Sequence, residues 1–430
     1  MEFTSAAWTA IAIFVVVYAV IISETVHRTI IALCGAALMI GLGVLSQEKA
    51  VSHIDFNTLG LLIGMMVIVN ITAETGFFRY LAIWSAKKVH ASPVKLLIAF
   101  SCLTAVCSGF LDNVTTVLLT VPITFHICRD LKIPVTPFLL AQIMASNIGG
   151  TATLIGDPPN VMIGSAVPQL DFMAFLTKLG PVCLVILLVT VALIALLYRR
   201  RLHTTDALRA SVLALDEKSA LTNKTLLAKC LTVLALVVLG FIFHSQLGLD
   251  TATVALGGAA FLMLITIRKD EDALTNKLEK IEWTAIFFFI GLFIVIGGLV
   301  ETGVIKVMAK EAIQMTQDNP ESATILILWI SAVASAFVDN IPFVATMIPL
   351  IQDMGQMGMT DLTPLWWALS LGACLGGNGT LIGASANVVV AGIAHQNGVK
   401  LSFMDYTKVG FPFMILAVAI SMVYLLLLYF

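Results

Sequence analysis

Charge is scarce in this sequence: 24 Lys and Arg and 26 Asp and Glu among 430 residues, 12% in all, against about 25% in soluble globular proteins. Water therefore cannot be its main surroundings. The formal net charge of -2 is nearly balanced, and no Lys/Arg cluster interleaved with aromatics appears, which excludes the electrostatic footprint of nucleic-acid binding. The seven cysteines (Cys34, Cys102, Cys107, Cys128, Cys183, Cys230 and Cys374) lack any C-x-x-C spacing and mostly sit in apolar runs. That argues against both a zinc site and a disulfide framework. The apolar run from Ala6 to Ile22, preceded by Glu2 and no Lys or Arg, reads as a poor secretory signal because the basic n-region is missing. The run reads as a first membrane span. No polar segment is long enough to bury a core of its own, so a soluble enzyme domain is excluded too.

What fills the sequence is apolar: 59% hydrophobic residues and a mean hydropathy of +1.00. A helix needs about 20 apolar residues to cross the hydrocarbon core. Suitable segments cover 7–22, 30–45, 57–76, 137–165 and 179–198, and a matching set covers 230–244, 251–267, 282–303, 364–393 and 411–430. Two further stretches, 96–128 and 323–351, are interrupted midway by Asp112-Asn113 and Asp339-Asn340. Each reads as a re-entrant hairpin that dips in and returns, a form tolerated only where protein or a watery cavity surrounds the backbone.

With those hairpins not crossing, ten spans result. Placing the N-terminus outside puts 20 of the 24 basic residues on the inner side, Arg28, Arg268, Lys269, Lys277 and Lys280 among them, and leaves Lys49, Lys178, Lys306 and Lys310 outside. The excess of basic residues sets this orientation. Residues 199–229 are polar and read as a cytoplasmic linker. Trp283, Trp329, Trp366 and Trp367 lie near span ends and fit an aromatic belt. The histidines are scattered, without ligand spacing.

The two sides of the linker are copies. Shifted by 227 residues, Glu74-Thr75-Gly76 meets Glu301-Thr302-Gly303, and Ser108, Phe110, Asp112, Asn113 and Pro122 meet Ser335, Phe337, Asp339, Asn340 and Pro349. Gly149, Gly150, Thr153, Leu154, Ile155, Gly156 and Asn160 meet Gly376, Gly377, Thr380, Leu381, Ile382, Gly383 and Asn387 without a gap. Five spans per copy is an odd number, so the second copy enters the membrane upside down. The fold expected is an all-α polytopic membrane protein of two inverted repeats, each with five spans and a re-entrant hairpin. Residues 1–198 form the first (hairpin 96–131, broken helix 137–165). Residues 230–430 form the second (hairpin 323–351, broken helix 364–393).

Chemistry concentrates where the copies carry polar residues at membrane depth. A carboxylate near the bilayer centre costs roughly 2.5 to 3.5 kcal/mol on insertion scales, so Asp112 and Asp339 point to ion or proton handling; capping of the hairpins' returning helices is a plainer role for both. Gly149-Gly150, Gly376-Gly377 and Pro158-Pro159 predict unwound backbone, whose carbonyls coordinate a cation and whose half-helix N-termini face an anion. Thr151, Thr153, Asn160, Asn378, Thr380, Ser385 and Asn387 supply neutral oxygens and amides there. Close packing by small residues is the simpler explanation for those glycines. Asp157 stands where the second copy has Ala384, and reads either as an asymmetric ligand or proton carrier or as a helix cap. Glu74 and Glu301 read as interfacial helix ends.

The segments "FLDNVTTVLL", "NIGGTATLIGDPPNV", "DNIPFVATMIP" and "ACLGGNGTLIGASANVVVAGIA" resemble signature stretches of the ion transporter superfamily that includes arsenite permeases, NhaD-type sodium/proton antiporters, citrate and dicarboxylate carriers and, most similar, the melanosomal P protein branch. The likeness runs over nearly the whole chain. It implies an elevator-type fold, a homodimer, and a site at Asp112, Asn113, Gly150, Thr151 and Thr153 in one half and Asp339, Asn340, Gly377, Asn378 and Thr380 in the other. The hairpin tips depart from the Ser-Asn-Thr of dicarboxylate carriers, and their two aspartates disfavour a multiply charged anion. The expected function is secondary active transport of a small inorganic ion or oxyacid across a bacterial-type inner membrane, coupled to protons or sodium, with sodium at Asp112, Asn113, Asp339 and Asn340. Sodium/proton antiport is the alternative transporter, and an ion channel the alternative of another class. No cofactor is expected, and the partners are the substrate ion, the lipid bilayer and a second copy.

Overall fold

The computed structural model describes residues 3–23, 25–267, 270–317 and 319–430, and every regular element among them is a helix. Glu2, Arg268 and Lys269, which entered the expectations about the N-terminus and sidedness, lie outside the described residues. Eight helices among the described residues are long and apolar enough to cross a membrane: Ser5–Ser23, Phe56–Ala73, Pro93–Phe110, Gly180–Arg201, Lys224–His244, Trp283–Glu301, Pro320–Phe337 and Phe403–Tyr429. Their surface is inverted relative to a soluble protein. Leu184, Leu188, Leu197, Leu236 and Leu427 are all more than half exposed, an arrangement that suits hydrocarbon rather than water.

The eight differ from the ten spans expected. Arg28–Gly41 and Thr251–Thr266 are apolar but shorter, and the segments 137–165 and 364–393 are interrupted. One leg of each hairpin joins the set instead, since 18 residues rise about 27 Å, deeper than a shallow dip.

Two helix groups emerge from the packing. Ser5–Ser23, Arg28–Gly41 and Phe56–Ala73 pack with Lys224–Leu247, Thr251–Thr266 and Trp283–Glu301. The hairpins, interrupted helices and the helices Gly180–Tyr198 and Phe403–Tyr429 form the other. Amphipathic arms, Phe77–Lys88 and Val304–Met315, bridge the groups by packing on Asn113–Asp130 and Asn340–Gln356. Each arm starts at a left-handed glycine, Gly76 (φ 76°) and Gly303 (φ 77°), a conformation that costs glycine little.

Ion pairs recur at the arms' starts. Glu74 pairs with Lys277 and Lys280, and Glu301 with Lys49 and His53. Lys87 of the first half donates to Glu217 of the segment 199–229 at 2.5 Å, and that hydrogen bond draws the Glu217 carboxyl below its ordinary range.

Candidate functional site

Each hairpin turns where an aspartate caps the returning helix. Asp112 accepts from the Thr115 amide at 2.7 Å and from its hydroxyl at 2.5 Å; Asp339 accepts from the Ile341 amide at 3.2 Å. Capping is thus a role both residues perform. The hairpins are then fastened to the interrupted helices by matched bonds. Ser108 and Ser335 donate to the carbonyls of Ser146 and Ala373, each at 2.6 Å. Thr153 donates to the Gly109 carbonyl at 2.5 Å, and Thr380 to that of Ala336.

The helix Thr136–Thr151 does not unwind at Gly149-Gly150 as expected; the break comes after Thr151. What requires glycine is proximity. A Cβ on Gly149 would stand 2.1 Å from the Ala105 carbonyl oxygen, and one on Gly376 2.5 Å from that of Ala332, far inside any tolerated contact. In the second half the helix ends at Gly376, with Gly377 as its cap.

The unwound carbonyls are gathered by side-chain amides. Asn160 donates to Gly150 (3.4 Å), Thr151 (3.1 Å) and Thr153 (2.8 Å). Asn387 donates to Gly377 (2.7 Å) and Thr380 (2.9 Å). Thr151 donates back to Asn147 at 2.6 Å. Thr151, Thr153 and Thr380 therefore commit their hydroxyls to the backbone.

Between these elements lies a buried polar core. Asn113 donates to Asn147 at 3.1 Å, and Asn147 donates to Asn378 (2.9 Å) and Asn387 (3.0 Å), linking the two halves. Ser370 donates to Asn160 at 2.6 Å, and the Cys374 thiol lies 3.6 Å from the same oxygen. Asn340 reaches Asp157 at 3.3 and 3.4 Å. Asp157 is 0% exposed, heads the half-helix Pro158–Ala166 without capping it, and has the Asn340 amide and the Cys374 thiol as its side-chain neighbours. An isolated buried carboxylate is costly unless a positive group joins it.

Next to this core, a cavity of about 420 Å³ is lined by both hairpin tips, Asp112 and Asp339, together with Arg28, Pro158, Glu282 and Ser385. Arg28 bonds Asp339 at 2.5 Å and Ser385 at 2.8 Å, and Ser385 donates to Asp339 at 2.8 Å. A second cavity of about 390 Å³ involves His53, Asp55, Ser165 and Gly297. Helix Trp283–Glu301 runs between the two, contributing Ala285 and Phe289 to the first and Phe293 and Val300 to the second. Both cavities take walls from both helix groups.

The tips, Asp157, Asn160, Asn378, Ser385 and Asn387 are therefore neighbours in space, while Gly150 and Gly377 serve close packing and backbone acceptance. Sequence reasoning missed Arg28, Asn147, Glu282, Ser370 and Cys374. One signal was available: at the offset of 227, Asn147 falls on Cys374, so both occupy the position facing the unwound segments. Among the described residues no group of three or more His, Cys, Asp or Glu side chains is arranged to hold a metal ion.

Comparison with known proteins agrees with a transporter. Residues 18–372 match the family model described as citrate transporter. An uncharacterized transporter of Mycobacterium bovis is 43% identical over 431 residues, covering 98% of each chain. The human P protein is 36% identical over 499 residues, which cover 97% of this chain and 59% of that one. Among solved structures, the YdaH transporter of Alcanivorax borkumensis superposes with a TM-score of 0.59 over 98% of both chains at 14% identity. That likeness is one of fold.

Proposed function

The chain belongs to the citrate transporter family of membrane transporters, and we propose that within it the protein is a secondary active carrier of a small inorganic ion or oxyacid, of the arsenite permease and P protein kind, coupled to protons or sodium. The observation that carries this reading is Asp157. Among the described residues this fully buried carboxylate meets the Asn340 amide and the Cys374 thiol, feels the acidic tips Asp112 and Asp339 and makes no salt bridge, so a proton or a cation would supply the missing charge. The same three acids weigh against citrate, whose charges they would repel.

The two halves act as inverted repeats, residues 1–198 and 230–430 joined by the linker 199–229, and transport proceeds by an elevator motion. The group of hairpins and interrupted helices slides against the other group, whose helix Trp283–Glu301 touches a cavity near each end. Sodium at the tips, through Asp112, Asn113, Asp339 and Asn340, is one form of the coupling. The number of carboxylates around one cavity favours a second reading, sodium/proton antiport with these acids binding the ion directly. The proposed setting is a homodimer in a bacterial inner membrane.

The test is flux in proteoliposomes, screening sodium, chloride, arsenite, phosphate and citrate at two pH values. Asp112→Asn and Asp339→Asn are each expected to abolish coupled transport while the protein stays folded. Wild-type flux in both variants removes the tips from the mechanism, and large unitary currents in place of slow saturable flux make the protein a channel.

A further inference from the structure

The hairpin tips are equal in sequence and unequal in partners. Oδ2 of Asp339 accepts from Arg28 at 2.5 Å and from Ser385 at 2.8 Å, and Arg28 also reaches Ser385 at 2.8 Å. Among the described residues no Lys, Arg or His makes a salt bridge with Asp112, whose oxygens take the amide and hydroxyl of Thr115. Helices Arg28–Gly41 and Thr251–Thr266 are the corresponding pair, so Arg28 answers Thr251, while at the 227-residue offset Ser385 answers Pro158. The first tip thus lacks both halves of the device found at the second.

Arg28 is also held from behind. Its guanidinium carbon lies 5.1 Å over the Phe288 ring, and the next residue, Thr29, donates to the Thr284 carbonyl at 2.7 Å. Phe288 and Thr284 belong to Trp283–Glu301, in the helix group opposite to that of Asp339 and Ser385. The ion pair therefore bridges the two groups that the proposed motion displaces, and any sliding between them must break it. Asp339 has a side-chain exposure of only 10%, so breaking the pair leaves a charge that is nearly buried and unpaired, a state disfavoured strongly unless another cation arrives.

We propose that Arg28 is a tethered stand-in for the exchangeable cation at the second hairpin tip: it neutralises Asp339 while the carrier is empty, locks the two helix groups together, and yields its place when a proton or sodium ion binds. This rests on the functional reading above, in which the tips bind the coupling cation. Other charged or titratable groups facing the same cavity are Asp112, Glu282 and His27, and they stay unchanged in the comparison that tests the idea.

The purified full chain is titrated with sodium chloride against choline chloride, and separately with pH, while its thermal unfolding is followed. Arg28→Gln keeps hydrogen-bonding capacity without the charge and is the main variant, with Arg28→Ala beside it. Removing the competitor should lower the sodium half-saturation about tenfold, or move the proton midpoint up by about one pH unit, either being a tenfold change in a binding constant. Arg28→Lys should remain close to wild type, and adding Asp339→Asn to Arg28→Gln should erase the gain. A cation response in the wild type with an unchanged or weaker midpoint in Arg28→Gln overturns the lock and leaves the functional reading standing. No response to sodium or pH in any form overturns both.

Discussion

Asp112 and Asp339 occupy equivalent places in two copies of one unit, yet the first rests on its own helix and the second is claimed by an arginine 311 residues away. The contrast extends through the molecule. Positions where the copies agree build it: Ser108 and Ser335 make the same bond at the same length, Thr153 and Thr380 bond the matching ends of the preceding hairpin legs, and Asn160 and Asn387 collect the same carbonyls. Positions where they disagree set the two sides of the site apart: Asp157 against Ala384, Asn147 against Cys374, Arg28 against Thr251, Ser385 against Pro158. The duplicated unit thus keeps its folding instructions and its tip acids in duplicate and sets the two sides of the site apart in the differences.

The sharpest way to break that distinction is to move the odd carboxylate. Asp157→Asn should reduce coupled flux at least about thirtyfold, the scale of truncating one member of a buried charged interaction. Adding Ala384→Asp should not restore it, because Asn113 bonds Asn147 rather than a group at 384. Recovery of flux in the double variant would mean that the halves are interchangeable at this position.

Agreeing positions away from the acidic tips should fail alike and by stability. Gly149→Ala and Gly376→Ala each force a methyl into a neighbouring carbonyl, at 2.1 and 2.5 Å, so unfolding in detergent should show losses of about 3 kcal/mol, the upper end for overpacking. The tighter site, Gly149, should lose more. Asn147→Cys makes the first half resemble the second and strips donors from the Asn378 and Asn387 oxygens. A loss of about 1–2 kcal/mol is expected from the unpaired buried acceptors, whereas Cys374→Ala should cost less.

Part of this was legible from residues alone, and the reason is locality. Asp-Asn in an apolar run and prolines in series act on their own few residues, so the chain turns at Asp112 and Asp339 and a new half-helix starts at Pro158. Gly149-Gly150 misled because the demand for glycine comes from Ala105 on another helix, which no local rule reveals. Arg28 counted only as a charge beside a span, because its partner is far along the chain. Cys374 read as a small hydrophobe, because its polar neighbours Asn160 and Ser370 come from both halves.

The smallest effect belongs to the ends of the arms. Glu74→Gln and Glu301→Gln break equivalent, half-exposed ion pairs and should each cost about 0 to 1 kcal/mol in thermal unfolding, less at high salt. A large loss from one and none from the other would mark an asymmetry that these pairs do not suggest.

The central claim is that both halves close on one cation-dependent site around Asp157. Gradient-driven uptake into proteoliposomes, measured for wild type and Asp157→Asn at matched protein density, tests it most directly. Saturable uptake that follows an imposed sodium or proton gradient in the wild type and disappears in the variant is the predicted result. Equal uptake in both, or uptake indifferent to either gradient, would contradict it.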